Sequence, residues 1–240
     1  MNWKIIHIDE TDSTNGWLRE FATDEHGDAN IVVVAEYQTA GRGCGSNSWE
    51  SERGKNLTFS VLLHPTEIPA DCQFRISEAV SVALCETLEQ LISPVSIKWP
   101  NDIYVGDRKI CGILIENQLR GRLISDSIVG IGLNVNQTEF LSDAPNPMSI
   151  AQISGHEEDR EELLQAFLQR LSATMEMDPE ALVGAYRSRL YRREGYHPFS
   201  DSEGAFEAKV QNVLDDGRLV LLDTHGSARI YAFKEVQFVV

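Results

Sequence analysis

Short apolar runs separated by polar, glycine-bearing stretches set the period from the start of the chain. Residues 3–8, 31–36 and 57–63 read as strands, and Ile31-Val-Val-Val-Ala35 is the unbroken apolar kind that a sheet interior shows. Asp12-Ser-Thr-Asn15 offers caps to a helix whose apolar face is Trp17, Leu18 and Phe21. Between 72 and 92 the period changes: Ile76, Ala79, Val80, Ala83, Leu84, Leu88 and Leu91 recur at helical spacing. Strand pattern returns at 95–98, 103–105, 109–116 and 123–135, with turns at Gly106-Asp-Arg108 and Gly121, so these strands pair as antiparallel hairpins. A polar loop, 136–147, precedes helices predicted over 156–175 and 179–192.

From about residue 195 the pattern is short and alternating, with strands expected at 206–214, 219–223, 229–233 and 236–239. The division predicted is a unit over 1–195 and a small β-barrel over 196–240. Arg187, Arg189, Arg192 and Arg193 just before the division read as a solvated face at a helix C-terminus.

Composition narrows the function. The chain has 240 residues, with 21 basic against 37 acidic side chains, a formal net charge of −16. That balance disfavours nucleic acid as a partner, because phosphate contacts need clustered Lys and Arg. Cys44, Cys72, Cys85 and Cys111 form no Cys-x-x-Cys pair, the histidines show no metal-ligand spacing, and no apolar run is long enough to span a membrane. The reading is a cytoplasmic protein with reduced thiols.

The chemistry concentrates in Gln38-Thr-Ala-Gly-Arg-Gly-Cys-Gly-Ser-Asn-Ser-Trp49, which leaves the strand at 31–36. Glycines permit close approach of main-chain N–H groups to a ligand, and the fork of Arg42 suits phosphate or carboxylate. Lys109 opens a mostly apolar strand, either as a rim residue or aimed at an anion. Gly112, Gly130 and Gly132 interrupt neighbouring strands, which predicts a trough cleared across the sheet with Lys109 at its rim.

Five motifs in order resemble the biotin–protein ligases: Asp12-Ser-Thr-Asn15, Gln38-Thr-Ala-Gly-Arg-Gly43 ending at Trp49, Lys98-Trp-Pro-Asn-Asp102, Asp107-Arg-Lys-Ile-Cys-Gly-Ile-Leu-Ile-Glu116 and Gly130-Ile-Gly-Leu-Asn134. The resemblance spans nearly the whole chain. It implies an α+β fold, a mixed sheet flanked by helices akin to class II aminoacyl-tRNA synthetases, followed by a small SH3-like barrel. Some members of that family carry an N-terminal DNA-binding domain; the catalytic pattern here starts within the first fifteen residues, so the expectation is a ligase that does not bind DNA.

The resemblance implies ATP and biotin as substrates, Mg²⁺, and a biotin carboxyl carrier protein of a carboxylase as acceptor, through biotinyl-5′-AMP. It assigns catalysis to Arg42, Asp102 and Lys109. Biotin falls to Ser13, Thr14, Asn15, Gln38, Gly41, Arg42, Gly43, Cys44, Lys109, Gly112 and Gly130. ATP falls to Arg42, Trp49, Asn101, Lys109 and Asn134, with no metal ligands assigned. The loop departs from the family pattern at Cys44, where many members have arginine, and at Ser46, where they have glycine. The implied consequence is a less tightly held adenylate. A lipoate or octanoate ligase of the same fold and a non-catalytic biotin or adenylate sensor stand as the alternatives. Pairing of an exposed edge strand leaves a homodimer open.

Overall fold

Alternation of side chains along a single strand decides the layering. The structure, a computed structural model, describes residues 1–21, 30–45 and 47–239, so Ser46 lies outside the described residues. In β2 (Asn30–Gln38), Ile31 and Val33 are buried on one face and Val32 and Val34 on the other. A strand apolar on both faces needs cover on both. β2 pairs in parallel with β1 (Trp3–Thr11) and antiparallel with β3 (Leu57–Leu63). The hairpin strands β4 (Val95–Lys98), β5 (Asp102–Val105), β6 (Arg108–Arg120) and β7 (Leu123–Leu133) extend this into a mixed sheet of order β1-β2-β3-β7-β6-β5-β4.

One face is covered by α1 (Thr14–Phe21), whose Leu18 sits on Ile31, Val33, Leu62 and Ile128. The other face carries α2 (Phe74–Leu88), with α4 (Arg160–Met175) and α5 (Pro179–Ser188) against it. Phe167 of α4 meets Phe59 of β3 edge-on, with ring centroids 5.5 Å apart. The fold is therefore α+β, a mixed sheet flanked by helices.

α2 is shorter than the periodicity over 72–92 predicts. The N–H groups of Leu91 and Ile92 both turn back to the Leu88 carbonyl and end the helix, which leaves Leu91 exposed. Between the loop read at 136–147 and the helix expected from 156, in a stretch given no element, lies a five-residue helix, α3 (Ile150–Ser154), closed by a capping box between Ser149 and Gln152. It is too short to show a period.

The second sheet contains β8 (His197–Asp201), β9 (Gly204–Val213), β10 (Leu219–Asp223), β11 (Ala228–Tyr231) and β12 (Gln237–Phe238), in the order β11-β10-β9-β8-β12. β8 is absent from the sequence expectation because Pro198 argues against a paired strand. Here the Pro198 carbonyl still accepts from Val239 N–H at 3.2 Å. Phe199, Val210, Leu219 and Leu221 of this sheet belong to the same buried cluster as α2 and β6.

The arginines at 187–192 correct the solvated-face reading. Arg187 donates to the Val213 carbonyl at 2.6 Å, Arg189 pairs with Glu89 at 3.0 Å, and Arg192 donates to the carbonyls of Pro198 and Val239, both at 2.8 Å. Arg187 and Arg192 tie the second sheet to α5 and the residues after it, while Arg189 ties the end of α5 to the end of α2. All four cysteines are unpaired, and among the described residues no helix is long and apolar enough to cross a membrane.

Candidate active site

The loop after β2 folds back on itself as a hairpin. Arg42 bridges Ser48, Gly43 N–H donates to the Asn47 carbonyl at 2.7 Å, and Trp49 N–H donates to the Gly41 carbonyl at 2.9 Å. Only Gly45 of the three loop glycines uses the left-handed region, with φ at 73°. Gly41 and Gly43 are needed for close approach instead. A methyl group on Gly41 would stand 2.5 Å from the Trp49 carbonyl oxygen, and one on Gly43 3.1 Å from Asn47 Cβ.

This hairpin delivers Trp49 to the sheet, and the trough expected across the strand glycines is not empty. Gly112 on β6 and Gly132 on β7 are cross-strand partners. The Trp49 indole lies on both: a methyl on Gly112 would come within 2.8 Å of Trp49 Cζ3, and one on Gly132 within 2.7 Å of Cζ2. Gly130 makes room for Asn15 in the same way, with 2.9 Å from such a methyl to Asn15 Cγ. The glycines therefore seat two protein side chains before any ligand. Trp49 Nε1 is buried without a hydrogen-bond partner.

At one end of the cleft is a neutral polar cradle. Gln38 Oε1 accepts from Thr14 N–H at 2.8 Å and from Thr14 Oγ1 at 3.0 Å. Ser60 Oγ on β3 donates within reach of both Thr14 Oγ1 (2.7 Å) and Asn15 Oδ1 (2.6 Å). Asn15 Nδ2 donates to Glu116 Oε2 at 2.8 Å, and Glu116 in turn takes Arg19 at 2.6 Å. Ser13, Thr14 and Asn15 are each 3 % exposed, although they sit where α1 begins. Ser13 Oγ is only a weak cap, 3.5 Å from Gly16 N–H.

The cations gather farther along. Lys109 Nζ pairs with Asp102 Oδ2 at 2.7 Å and lies 5.8 Å from the centre of the Trp49 ring system. Arg42 lines the same cleft and has no ion pair among the described residues. Lys98 also faces the cleft. Burial pushes its amine below the usual lysine range, and its Nζ meets the Tyr104 hydroxyl at 3.1 Å and the Phe238 ring at 5.4 Å. Asn101 Nδ2 donates to Ser77 Oγ at 3.1 Å. Asn134 Nδ2 donates to the Met148 carbonyl at 3.2 Å, while its Oδ1 is buried and unpartnered. The Trp99–Pro100 bond between these groups is cis.

Two further segments close the cleft, whose volume is about 1170 Å³. The loop at 138–147 is held by Glu50, whose carboxylate accepts from the N–H groups of Leu141 (2.7 Å) and Ser142 (2.8 Å). Burial raises the Glu50 carboxyl, but these donors and Gln137 outweigh it and leave it below its ordinary value. The second segment is the turn between β11 and β12, which brings Phe233, Lys234, Gln237 and Phe238 to the rim.

The structure thus gathers Ser13, Thr14, Asn15, Gln38, Arg42, Gly43, Cys44, Trp49, Asn101, Asp102, Lys109, Gly112, Gly130 and Asn134 around one cleft, with Gly41 behind it at the base of the hairpin. Ser60 and Glu50 were not anticipated; Lys98 stood in a motif without a role of its own, and the C-terminal domain was expected to help grip ATP or the carrier without any of its residues being named. Ser60 had a signal, a hydroxyl that together with Thr58 interrupts an otherwise apolar strand; the residues of the turn had none.

The chain is similar to known proteins over most of its length. The chain is 29 % identical over 255 residues to the bifunctional ligase/repressor BirA of Bacillus subtilis, covering 97 % of this chain and 73 % of that protein. It is 28 % identical over 198 residues to the biotin–[acetyl-CoA-carboxylase] ligase of Mycobacterium tuberculosis, covering 78 % and 71 %. The biotin protein ligase of Aquifex aeolicus, solved in complex with biotin and ATP, superposes with a TM-score of 0.80 at 28 % identity, over 98 % of this chain and 99 % of that one. The biotin/lipoate A/B protein ligase family model matches residues 8–134, more than half the chain. The chain belongs to the biotin/lipoate A/B protein ligase family.

Proposed function

We propose that the chain is a biotin–protein ligase that activates biotin with ATP and transfers it to a lysine of a biotin carboxyl carrier protein. One observation carries the reading: a single cleft has a buried neutral cradle at one end and the Arg42 and Lys109 cations toward the other. The ureido ring of biotin has one acceptor and two donors, which suit Gln38 Nε2, Asn15 and the Thr14 and Ser13 hydroxyls. A lipoyl dithiolane or an octanoyl tail offers nothing to such a cradle, and burying unmatched polar groups against it is costly. That contrast favours biotin over the lipoyl substrates within the same family.

In the first step the biotin carboxylate oxygen attacks the α-phosphorus of ATP, the bond to the bridging oxygen breaks, and pyrophosphate leaves. Two anions must meet, so fixed cations at the meeting point lower the barrier. Lys109, oriented by Asp102, and the unpaired Arg42 take that role. Trp49 forms the floor against which the adenine lies, and the unsatisfied Asn134 Oδ1 is an acceptor suited to the adenine amino group. In the second step the carrier amine attacks the anhydride carbonyl and AMP leaves; orientation and exclusion of water suffice there.

Among the described residues no group of three or more His, Cys, Asp and Glu forms a metal cage. Mg²⁺ in such reactions is held by substrate phosphates and water with one or two carboxylates; Asp102, which also pairs with Lys109, and Asp143 are the carboxylates that line the cleft and would hold it. Bound there, it would neutralise phosphate charge.

The test is pyrophosphate release from ATP and Mg²⁺ with biotin, then labelling of an apo carrier domain, for wild type and Lys109→Ala. Expected is biotin-dependent release and labelling, both reduced about 10²–10³-fold in the variant, as for loss of one oxyanion-stabilising donor. Binding of biotin without release would instead identify a sensor. Release with lipoate alone would identify a lipoyl ligase.

A further inference from the structure

Asn15 and Arg19 stand four residues apart on α1 and so share one side of that helix. Both reach the same carboxylate. Glu116 Oε2 accepts from Asn15 Nδ2 at 2.8 Å, and Glu116 Oε1 accepts from Arg19 Nη2 at 2.6 Å. Glu116 belongs to β6, where Gly112 and Leu114 precede it at alternate positions on the same face. Its cross-strand partner is Ile128, which is buried under α1 with Leu18, Val33 and Leu62. A carboxylate beside that apolar patch needs partners for both oxygens, and α1 supplies both.

The pairing fixes which way the Asn15 amide faces. An ionised carboxylate accepts hydrogen bonds and donates none, so the amide turns its nitrogen to Glu116. Its oxygen then faces Ser60 Oγ at 2.6 Å, and the single Ser60 proton goes there. Ser60 Oγ is left as an acceptor for the Thr14 hydroxyl at 2.7 Å, which also reaches Gln38 Oε1 at 3.0 Å. Gln38 Oε1 already takes Thr14 N–H, so Gln38 Nε2 stays a donor for the cleft. One charge behind the cradle thus orders Asn15, Ser60 and Thr14 in turn. In that order Asn15 keeps its oxygen on the side of Gly130: a methyl group on Gly130 would have Asn15 Oδ1 as its nearest neighbour.

We propose that Glu116 is a positioning residue for biotin, which acts by holding the Asn15 amide oxygen where a ureido N–H can donate to it. The inference rests on the biotin reading of the cradle. Glu116 lies behind Asn15, which lines the cleft, and Arg19 ties the carboxylate down from the solvent side. The exposed pair with Arg19 contributes little by itself. The bond to Asn15 is of the stronger kind, because Asn15 is buried and its partner is charged. Without an acceptor at 116 the amide nitrogen loses its partner, and the amide turns over to meet the ureido donor with a donor.

Titration calorimetry of the full chain, with biotin and with a non-hydrolysable ATP analogue, tests this in wild type, Glu116→Met, Glu116→Gln, Asn15→Ala and the double variant combining Asn15→Ala with Glu116→Met. Urea unfolding checks that each is folded. Glu116→Met keeps the length of the side chain and offers no acceptor; it should weaken biotin about tenfold, the size of one hydrogen bond to a charged group. Glu116→Gln keeps an oxygen within reach of Asn15 Nδ2 and should stay within about threefold of wild type. Asn15→Ala should weaken biotin at least as much as Glu116→Met, and adding the second substitution should cost nothing further, because the carboxylate acts through Asn15. Affinity for the ATP analogue should stay within about twofold throughout. Biotin affinity unchanged in Glu116→Met would overturn the proposal while leaving the ligase reading intact. So would additive losses in the double variant, or an equal loss of the ATP analogue, which would make Glu116 a general support of α1 on the sheet. A wild-type protein that binds no biotin would remove the biotin reading of the cradle and this proposal together.

Discussion

If the strand glycines exist to seat Asn15 and Trp49, adding one methyl group to each should damage two different ligands. In Gly130→Ala the new Cβ would stand 2.9 Å from Asn15 Cγ and 3.1 Å from its Nδ2. Asn15 has little freedom to yield. It is 3 % exposed and is held by Ser60 at 2.6 Å and Glu116 at 2.8 Å. An overpacked site of this kind costs about 1–3 kcal/mol. If the cost falls on the ligand-competent arrangement of Asn15, biotin binding weakens by roughly 5- to 150-fold, at 1.4 kcal/mol per factor of ten.

In Gly132→Ala the Cβ would stand 2.7 Å from Trp49 Cζ2. The indole has no hydrogen bond to hold it, so it swings off the sheet into the space assigned to adenine. Expected is a similar loss of affinity for a non-hydrolysable ATP analogue, with biotin affinity within about threefold of wild type. Titration calorimetry of each ligand against each variant gives four numbers, and urea unfolding shows whether the fold survives. Equal weakening of both ligands in both variants would refute the division of the cleft between Asn15 and Trp49. Unchanged affinities would show that the two side chains relax at no cost.

Other expectations follow from the same geometry. Cys44→Arg adds a cation beside the adenylate phosphate and should lengthen the residence of biotinyl-5′-AMP about tenfold, the effect of one charge-assisted hydrogen bond; a chase experiment with equal off-rates would refute it. Glu50→Gln weakens the anchor of the loop at 138–147 and should raise protease cutting within it; because the Glu50 carboxyl is held below its ordinary value, that anchoring is present above the usual carboxylate range and is lost as pH falls through the lowered value. Glu78, buried on α2, has its carboxyl pushed up to about 7 by burial, with Arg187 opposing. It is neutral in both states at low pH and costs stability as pH rises from its unfolded range through 7, so Glu78→Gln should be more stable by roughly 2–3 kcal/mol at pH 8 and equal to wild type near pH 4, read by urea unfolding.

Much of this was legible in the sequence, for reasons that are local. The strands at 57–63 and 95–98 have their predicted bounds because their ends coincide with polar or turn residues. The cleft residues were legible because each of the five motifs sits at a strand end or a helix start, and such ends converge at one edge of a sheet. What was not legible is what depends on distant pairing. Trp49 reads as a ligand wall or as core, yet nothing near it says that its ring rests on Gly112 and Gly132, more than sixty residues away. Sequence showed a gap at the glycines and could not show its filler. β8 was hidden by Pro198, and the role of Arg187, Arg189 and Arg192 by the ordinary habit of helix C-termini to carry solvated cations.

Arg187 and Arg192 bear on the cleft through the second sheet. A chain with a net charge of −16 repels an anionic ligand as a whole, so its cations must be placed where the ligand will be. Arg187 and Arg192 spend their donors on main-chain carbonyls of β8, β9 and the residue after β12, and this fixes the sheet against the first one. Fixing it positions the β11–β12 turn over the cleft, with Phe233 on Trp99 and Phe238 over Lys98. Loosening the joint should therefore act on nucleotide binding before it acts on the cradle around Asn15, which the first sheet builds alone. Arg192→Ala removes two donors to carbonyls from a residue with φ at 60°. Its expected signature is a KM for ATP raised severalfold with biotin affinity kept, since each donor is worth on the order of 1 kcal/mol and neither touches the cradle. Equal loss of both ligands would mean that the second sheet supports the whole cleft rather than its phosphate end.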